Sequence, residues 1–168
     1  KHRSEEVIEM VWDLSIYVQE KREITIDYYK MDQSFVTRRV VPLAVLFQDY
    51  YFYMVAYKCD DVKKEPRFFR VDRIENIIVH RQKKDAYPHS FDEGVLRNQN
   101  LYMWPGPKRY IQFEFRGPSL QAVLDRLPNS KVLKKLGDNA YLIESSVQGD
   151  GIMMWLLSQR SWVKVVAP

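Results

Sequence analysis

The chain has 168 residues, with 26 Lys/Arg against 22 Asp/Glu and a net charge of +4. That length allows one ordinary domain or two small ones, and 46% hydrophobic residues can fill a core, which excludes a disordered chain. The single cysteine, Cys59, excludes an internal disulfide and a cysteine-based zinc site; it reads as a small buried hydrophobe in a reduced compartment.

The basic excess sits late. Residues 108–168 hold nine Lys/Arg against five Asp/Glu, while residues 1–21 hold three against five. So mild a balance suits an anionic partner without requiring one. No apolar run approaches the ~20 residues that span a bilayer, and no signal peptide opens the chain. The expectation is a soluble, cytoplasmic protein. A start at Lys-His-Arg without Met is expected of a piece cut from a longer one.

Taken in chain order, Ser4–Tyr17 reads as a helix. Ser4 suits the N-cap, Glu5 and Glu6 suit the positive end of the helix dipole, and Val7, Met10, Val11, Leu14 and Val18 form one stripe. From Arg22 the period drops to two: "EITIDYY", "FVTRRVVPLAVLF", "YYFYMVAYKC", "RFFRV" and "NIIVH" read as five strands, with a hairpin at "QDY". Pro42 lacks a backbone donor, so its strand is expected to bend, bulge or lie at an edge. Five short strands between Arg22 and His80 suit a small Sm-like or SH3-like barrel.

Residues 81–107 are rich in charge, Pro and Gly and read as a linker that includes a short helix. Within them "LYMWPGPKRY" either stacks bases on its aromatics or uses Tyr102 and Trp104 as anchors, the second being preferred. Residues 108–168 read as strand, helix, strand, strand, helix, strand, the order of a ferredoxin-like unit. Ser119 and Asp150 are the expected N-caps, and the unbroken apolar run Met153–Leu157 predicts a helix covered on most sides. Lys131, Lys134 and Lys135 suit a protected strand edge. The fold class expected is therefore α+β.

Residues 22–80 resemble the WYL domain of bacterial, DeoR-like transcriptional regulators. "ITIDY" fits the first strand, "RRVVP" fits Arg-x-Val-x-Pro, and "RFFRVDRI" fits Arg-x-Phe-Arg-Leu-Asp-Arg-Ile. The name-giving Trp-Tyr-Leu reads Phe52-Tyr53-Met54, a change that keeps both altered positions large and apolar. Residues 108–168 resemble the C-terminal extension called WCX, with Arg160 where the family usually has glycine. The resemblance implies a helix-turn-helix outside this chain, a homodimer, and an anionic ligand that is single-stranded DNA or a nucleotide-like molecule.

The candidate ligand-binding residues follow. Arg67, Arg70 and Arg73 recur at every third position; Arg67 and Phe69 share a strand face, Arg70 points the other way, and a turn capped by Asp72 frees Arg73 from that parity. Arg38 and Tyr28 match family positions near the same pocket. Guanidinium groups suit bidentate recognition of phosphate or carboxylate, and Tyr28 offers a ring for stacking. The competing reading is that each arginine is salt-bridged, with Asp72 and Glu75 at hand; Arg39 is read that way throughout. His80 and His89 have no second ligand pair, and no nucleophile–base pair or cofactor loop stands out, so neither a metal, a cofactor nor an enzyme is expected. The function expected is ligand sensing that controls DNA binding. The alternative is a stand-alone module that holds single-stranded nucleic acid.

Overall fold

Alternation of apolar and polar side chains sets the first sheet. In the computed structural model, residues 4–63, 65–82, 104 and 106–167 are described. The chain divides into two units, Lys1–Phe91 and Asp92–Pro168. The expected linker helix, the base-stacking role of Tyr102, the capping side chain of Ser4 and His89 lie outside the described residues.

In the first unit helix α1 (Ser4–Gln19) precedes strands β1 (Arg22–Tyr29), β2 (Phe35–Gln48), β3 (Tyr51–Lys58) and β4 (Arg67–Arg70). A 3-10 turn, Val71–Arg73, leads into β5 (Ile74–Gln82). The strands form one antiparallel sheet in the order β4-β3-β2-β1-β5. Five strands stand where alternation places them. They make an open sheet, not the closed barrel expected: no pairing joins β4 to β5 among the described residues.

The sheet is nonetheless strongly curled. The Arg70 backbone N–H donates to the Tyr28 hydroxyl at 3.2 Å, although β1 and β4 are separated by two strands in the sheet. The rings of Tyr28 and Phe69 also meet edge to face, 5.4 Å between centroids. Strand β2 makes the curl possible, because its first half pairs with β1 and its second with β3. Pro42 sits past the last β1 partner, Val40, and the β2–β3 register slips between Pro42 and Ala44. A residue without an N–H thus falls at a bulge, as expected. Helix α1 lays Val7, Met10, Val11 and Leu14 against Ile24, Ile26, Val40, Met54 and Phe69 on the inner face. The β2–β3 hairpin turns on Asp49 and Tyr50, both at positive φ.

The second unit runs β6 (Lys108–Phe115), α2 (Leu120–Arg126), β7 (Ser130–Gly137), β8 (Ala140–Gln148), α3 (Gly151–Ser158), a 3-10 turn (Arg160–Trp162) and β9 (Val163–Ala167). Its antiparallel sheet has the order β7-β8-β6-β9, so the two β-α-β halves interleave. Both helices contribute to one core: Val123 and Leu127 from α2, Ile152, Trp155 and Leu156 from α3, over Ile111, Phe113, Phe115 and Ile143. Ser119 caps α2 by accepting from the Ala122 N–H at 3.2 Å. Lysine-bearing β7 is an edge strand, as read from the sequence.

Three expectations are corrected. Asp150 precedes α3, but its side chain makes no cap bond and instead takes the Arg109 guanidinium at 2.8 Å. Helix α3 is not covered on most sides, since Met153, Met154 and Leu157 are exposed while Ile152, Trp155 and Leu156 are buried. Continuous hydrophobicity hid an ordinary amphipathic orientation. Cys59 is exposed, because it follows the last residue of β3 and enters the loop.

Among the described glycines of this unit, Gly117 leaves the least room for a side chain. A Cβ there would lie 2.4 Å from the Phe115 ring, which is itself 2% exposed. Gly117→Ala should therefore lower stability by about 1–3 kcal/mol in urea unfolding, as overpacking does. An unchanged midpoint would show that the ring has room to move.

Candidate anion-binding site

Register decides which arginines share a face, because directly paired residues project to the same side of a sheet. Arg38 is opposite Ile26, and Arg67 is opposite Ala56; both partners are fully buried on the inner face. Lys58 is opposite Val40, another inner-face residue. Arg38 lies two residues beyond Val40 and Arg67 pairs two residues before Lys58. Arg38, Lys58 and Arg67 therefore line one end of the inner face.

The charges at this end do not balance locally. Arg67 reaches Glu65 at 3.2 Å and Asp61 at 3.7 Å, yet its Nε is buried without a hydrogen-bond partner. The Arg38 guanidinium donates to the Thr37 carbonyl at 3.1 Å and forms no ion pair among the described residues. Lys58 likewise has no carboxylate partner among them. Three cations thus face two carboxylates. An orphaned buried Nε is costly unless something accepts from it.

Arg70 faces outward, opposite Tyr53, as strand parity predicts. It is already occupied. Its Nε and Nη2 donate to the two Asp72 carboxylate oxygens at 3.0 and 2.6 Å, and its guanidinium lies 3.5 Å above the Tyr51 ring. The bond to Asp72 pushes the Arg70 pKa up, against the opposing effect of burial. Asp72 therefore does not cap the 3-10 turn; it lies inside it, and no side-chain cap bond forms. Arg73 ends that turn, half-buried beside the Tyr53 phenol and with no ion pair among the described residues.

Tyr28 is not an open stacking platform. Its ring is 8% exposed and packs on Phe69, and its oxygen is engaged by Arg70. Arg39 is paired with buried Glu23 and stays structural, as expected. His80 shares a hydrogen bond with Thr25 at 2.8 Å. The five candidates thus fall into an inner pair (Arg38, Arg67), an outer pair (Arg70, Arg73) and a core tyrosine. Sequence reasoning missed Lys58, whose signal is its position two and four residues from Ala56 and Met54. It also missed Tyr51 and Tyr53, which the same alternation puts on the outer face.

Residues 10–79 match the family model of the WYL domain. Comparison with curated proteins gave no match. Among solved structures, the chain is similar to proteasome accessory factor B/C (PafBC) of Arthrobacter aurescens, at 20% identity and a TM-score of 0.47, over 100% of this chain and 25% of that one. It is also similar to a CRISPR Cas-related protein, at 11% identity and a TM-score of 0.59, over 97% of this chain and 47% of that one. The second likeness is one of fold. This chain spans less than half the length of either.

Burial raises the pKa of Tyr53, and of Tyr17 and Tyr57, above the ordinary value of 10.0. These phenols stay protonated when folded at a pH where unfolded tyrosines ionise. Their contribution is complete below pH 10.0 and is lost as pH rises through the folded values. Urea midpoints should fall above pH 10, and Tyr53→Phe should make that fall shallower. A slope identical to wild type would place Tyr53 in water.

Proposed function

We propose, from the premise that residues 10–79 form a WYL domain, that this chain is the ligand-sensing part of a transcriptional regulator. The anionic ligand, single-stranded DNA or a nucleotide-like molecule, binds at the Arg38–Lys58–Arg67 end of the curled sheet. The cation excess there carries the reading: Arg38 and Lys58 have no carboxylate among the described residues, and the Arg67 Nε has no acceptor. A phosphate oxygen would accept from that Nε and draw Arg67 away from Glu65 and Asp61. Arg73, also without an ion pair among the described residues, adds positive potential from the outer face, while Arg70 remains held by Asp72.

On this reading residues 108–168 are a ferredoxin-like WCX extension. Ligand binding shifts the orientation of the two units within a homodimer, and a helix-turn-helix outside this chain reads that shift on duplex DNA. The protein is cytoplasmic and non-catalytic. Among the described residues no helix is long and apolar enough to cross a membrane. The runner-up is a module that holds single-stranded nucleic acid for its own sake. Only the sensor changes the operator affinity of the longer protein when ligand is added.

The test is a titration of fluorescent single-stranded oligonucleotides and a nucleotide panel into wild type, Arg38→Ala, Lys58→Ala and Arg70→Ala. Removing either Arg38 or Lys58 should weaken binding by about 1.5–3 kcal/mol and lower the salt slope by about one. Arg70→Ala should change it little, because its charge is already neutralised by Asp72. Equal binding by all four proteins would falsify the site.

A further inference from the structure

Two exposed rows run side by side along α1. Glu5, Glu9 and Asp13 recur at i, i+4 and i+8, and Ile8, Trp12 and Ile16 repeat the pattern three residues on. Residues three and four apart are neighbours on a helix, so each acid stands beside an apolar side chain. Neither row belongs to the core stripe of Val7, Met10, Val11 and Leu14. Trp12 is 71% exposed, and the three acids form no ion pair among the described residues. Like charges at this spacing weaken the helix that carries them, and clustered large apolar side chains on a surface mark a place of interaction.

Strand β7 carries the opposite charge. Lys131, Lys134 and Lys135 are interleaved with exposed Val132, Leu133 and Leu136. The β7–β8 register slips between Val132 and Lys134 and again between Lys135 and Gly137, which leaves Leu133 and Leu136 as the extra residues of two bulges. Lys131 is opposite Glu144, but that carboxylate accepts from Gln112 at 2.9 Å. None of the three lysines has an ion pair among the described residues. Lysines protect a sheet edge by themselves; the apolar side chains between them do the reverse. The two patches also match in length, since Glu5 to Asp13 covers about 12 Å of helix and Lys131 to Lys135 about 13 Å of strand.

We infer that α1 of one copy of this chain docks on β7 of a second copy, its apolar row on Val132, Leu133 and Leu136 and its acids against the three lysines. A two-fold axis makes the contact twice and closes a dimer, because each copy supplies one helix and one strand. The inference rests on the homodimer of the proposed function and gives it an interface; it is independent of where the anion binds.

Charge reversal tests it, read by sedimentation velocity and native mass spectrometry on the full chain. One variant, Glu5→Lys/Glu9→Lys/Asp13→Lys, makes the helix patch basic; the other, Lys131→Glu/Lys134→Glu/Lys135→Glu, makes the strand patch acidic. Wild type should dimerise, and each variant alone should do so about tenfold more weakly. An equimolar mixture should recover a dimer holding one chain of each, since both helix–strand contacts then join opposite charges again. Trp12→Ala, which leaves the core intact, should weaken the wild-type dimer about tenfold with an unchanged circular dichroism spectrum. A monomeric wild type would overturn the homodimer and this interface together. A wild-type dimer that either charge variant or Trp12→Ala leaves unaltered would overturn the interface alone, as would charge variants that are folded by circular dichroism yet stay apart when mixed. A strand variant that dimerises like wild type but loses oligonucleotide binding would assign β7 to nucleic acid instead.

Discussion

One hydrogen bond holds the first unit's geometry together: the Arg70 amide to the Tyr28 hydroxyl. Strands β1 and β4 are not neighbours in the sheet, so this bond and the Tyr28–Phe69 ring contact tie together elements that the ladder leaves apart. The curl they maintain encloses the inner face under α1 and leaves one end of it bordered by Arg38, Lys58 and Arg67. A flat sheet with the same pairing would spread those cations and open the core to water. The long strand β2, bulged at Pro42, is what lets the sheet bend that far.

Electrostatics then sorts the arginines. A carboxylate two residues away on the same chain neutralises Arg70 at almost no entropic cost, and a stacked tyrosine fixes the pair further. Arg39 is neutralised instead across strands, by Glu23 of β1. Arg38 and Lys58 have no such neighbour among the described residues, and Arg67 is only partly satisfied. Charges that the fold leaves uncompensated at one end of a concave face are the ones available to a guest. In the second unit Arg116 is likewise paired, with Glu114.

Much of this was legible in the sequence. Alternation in "EITIDYY" and "YFYMVAYK" gives the strands, Pro42 gives the bulge, Ser119 gives the α2 cap, and parity within "RFFR" separates Arg67 from Arg70. What failed depends on contacts that spacing does not encode. Asp72 and Asp150 look like caps locally, but an arginine within reach offers each a stronger, charge-assisted partner. Tyr28 looks like a binding-site ring until the curl buries it. Cys59 is apolar by type and exposed by position, one residue past a strand end. Spacing marked Arg67, Arg70 and Arg73, the resemblance to WYL domains added Arg38 and Tyr28, and the register supplied Lys58.

The cluster of cations at one end of the inner face depends on the curl. Amide hydrogen exchange at Arg70, in wild type and in Tyr28→Phe, tests it most directly. If the phenol closes the sheet, the Arg70 N–H exchanges slowly in wild type, and the variant speeds it by about tenfold while the β1–β2 ladder amides stay protected. An Arg70 amide that exchanges freely in wild type, or at the same slow rate without the hydroxyl, would contradict the account.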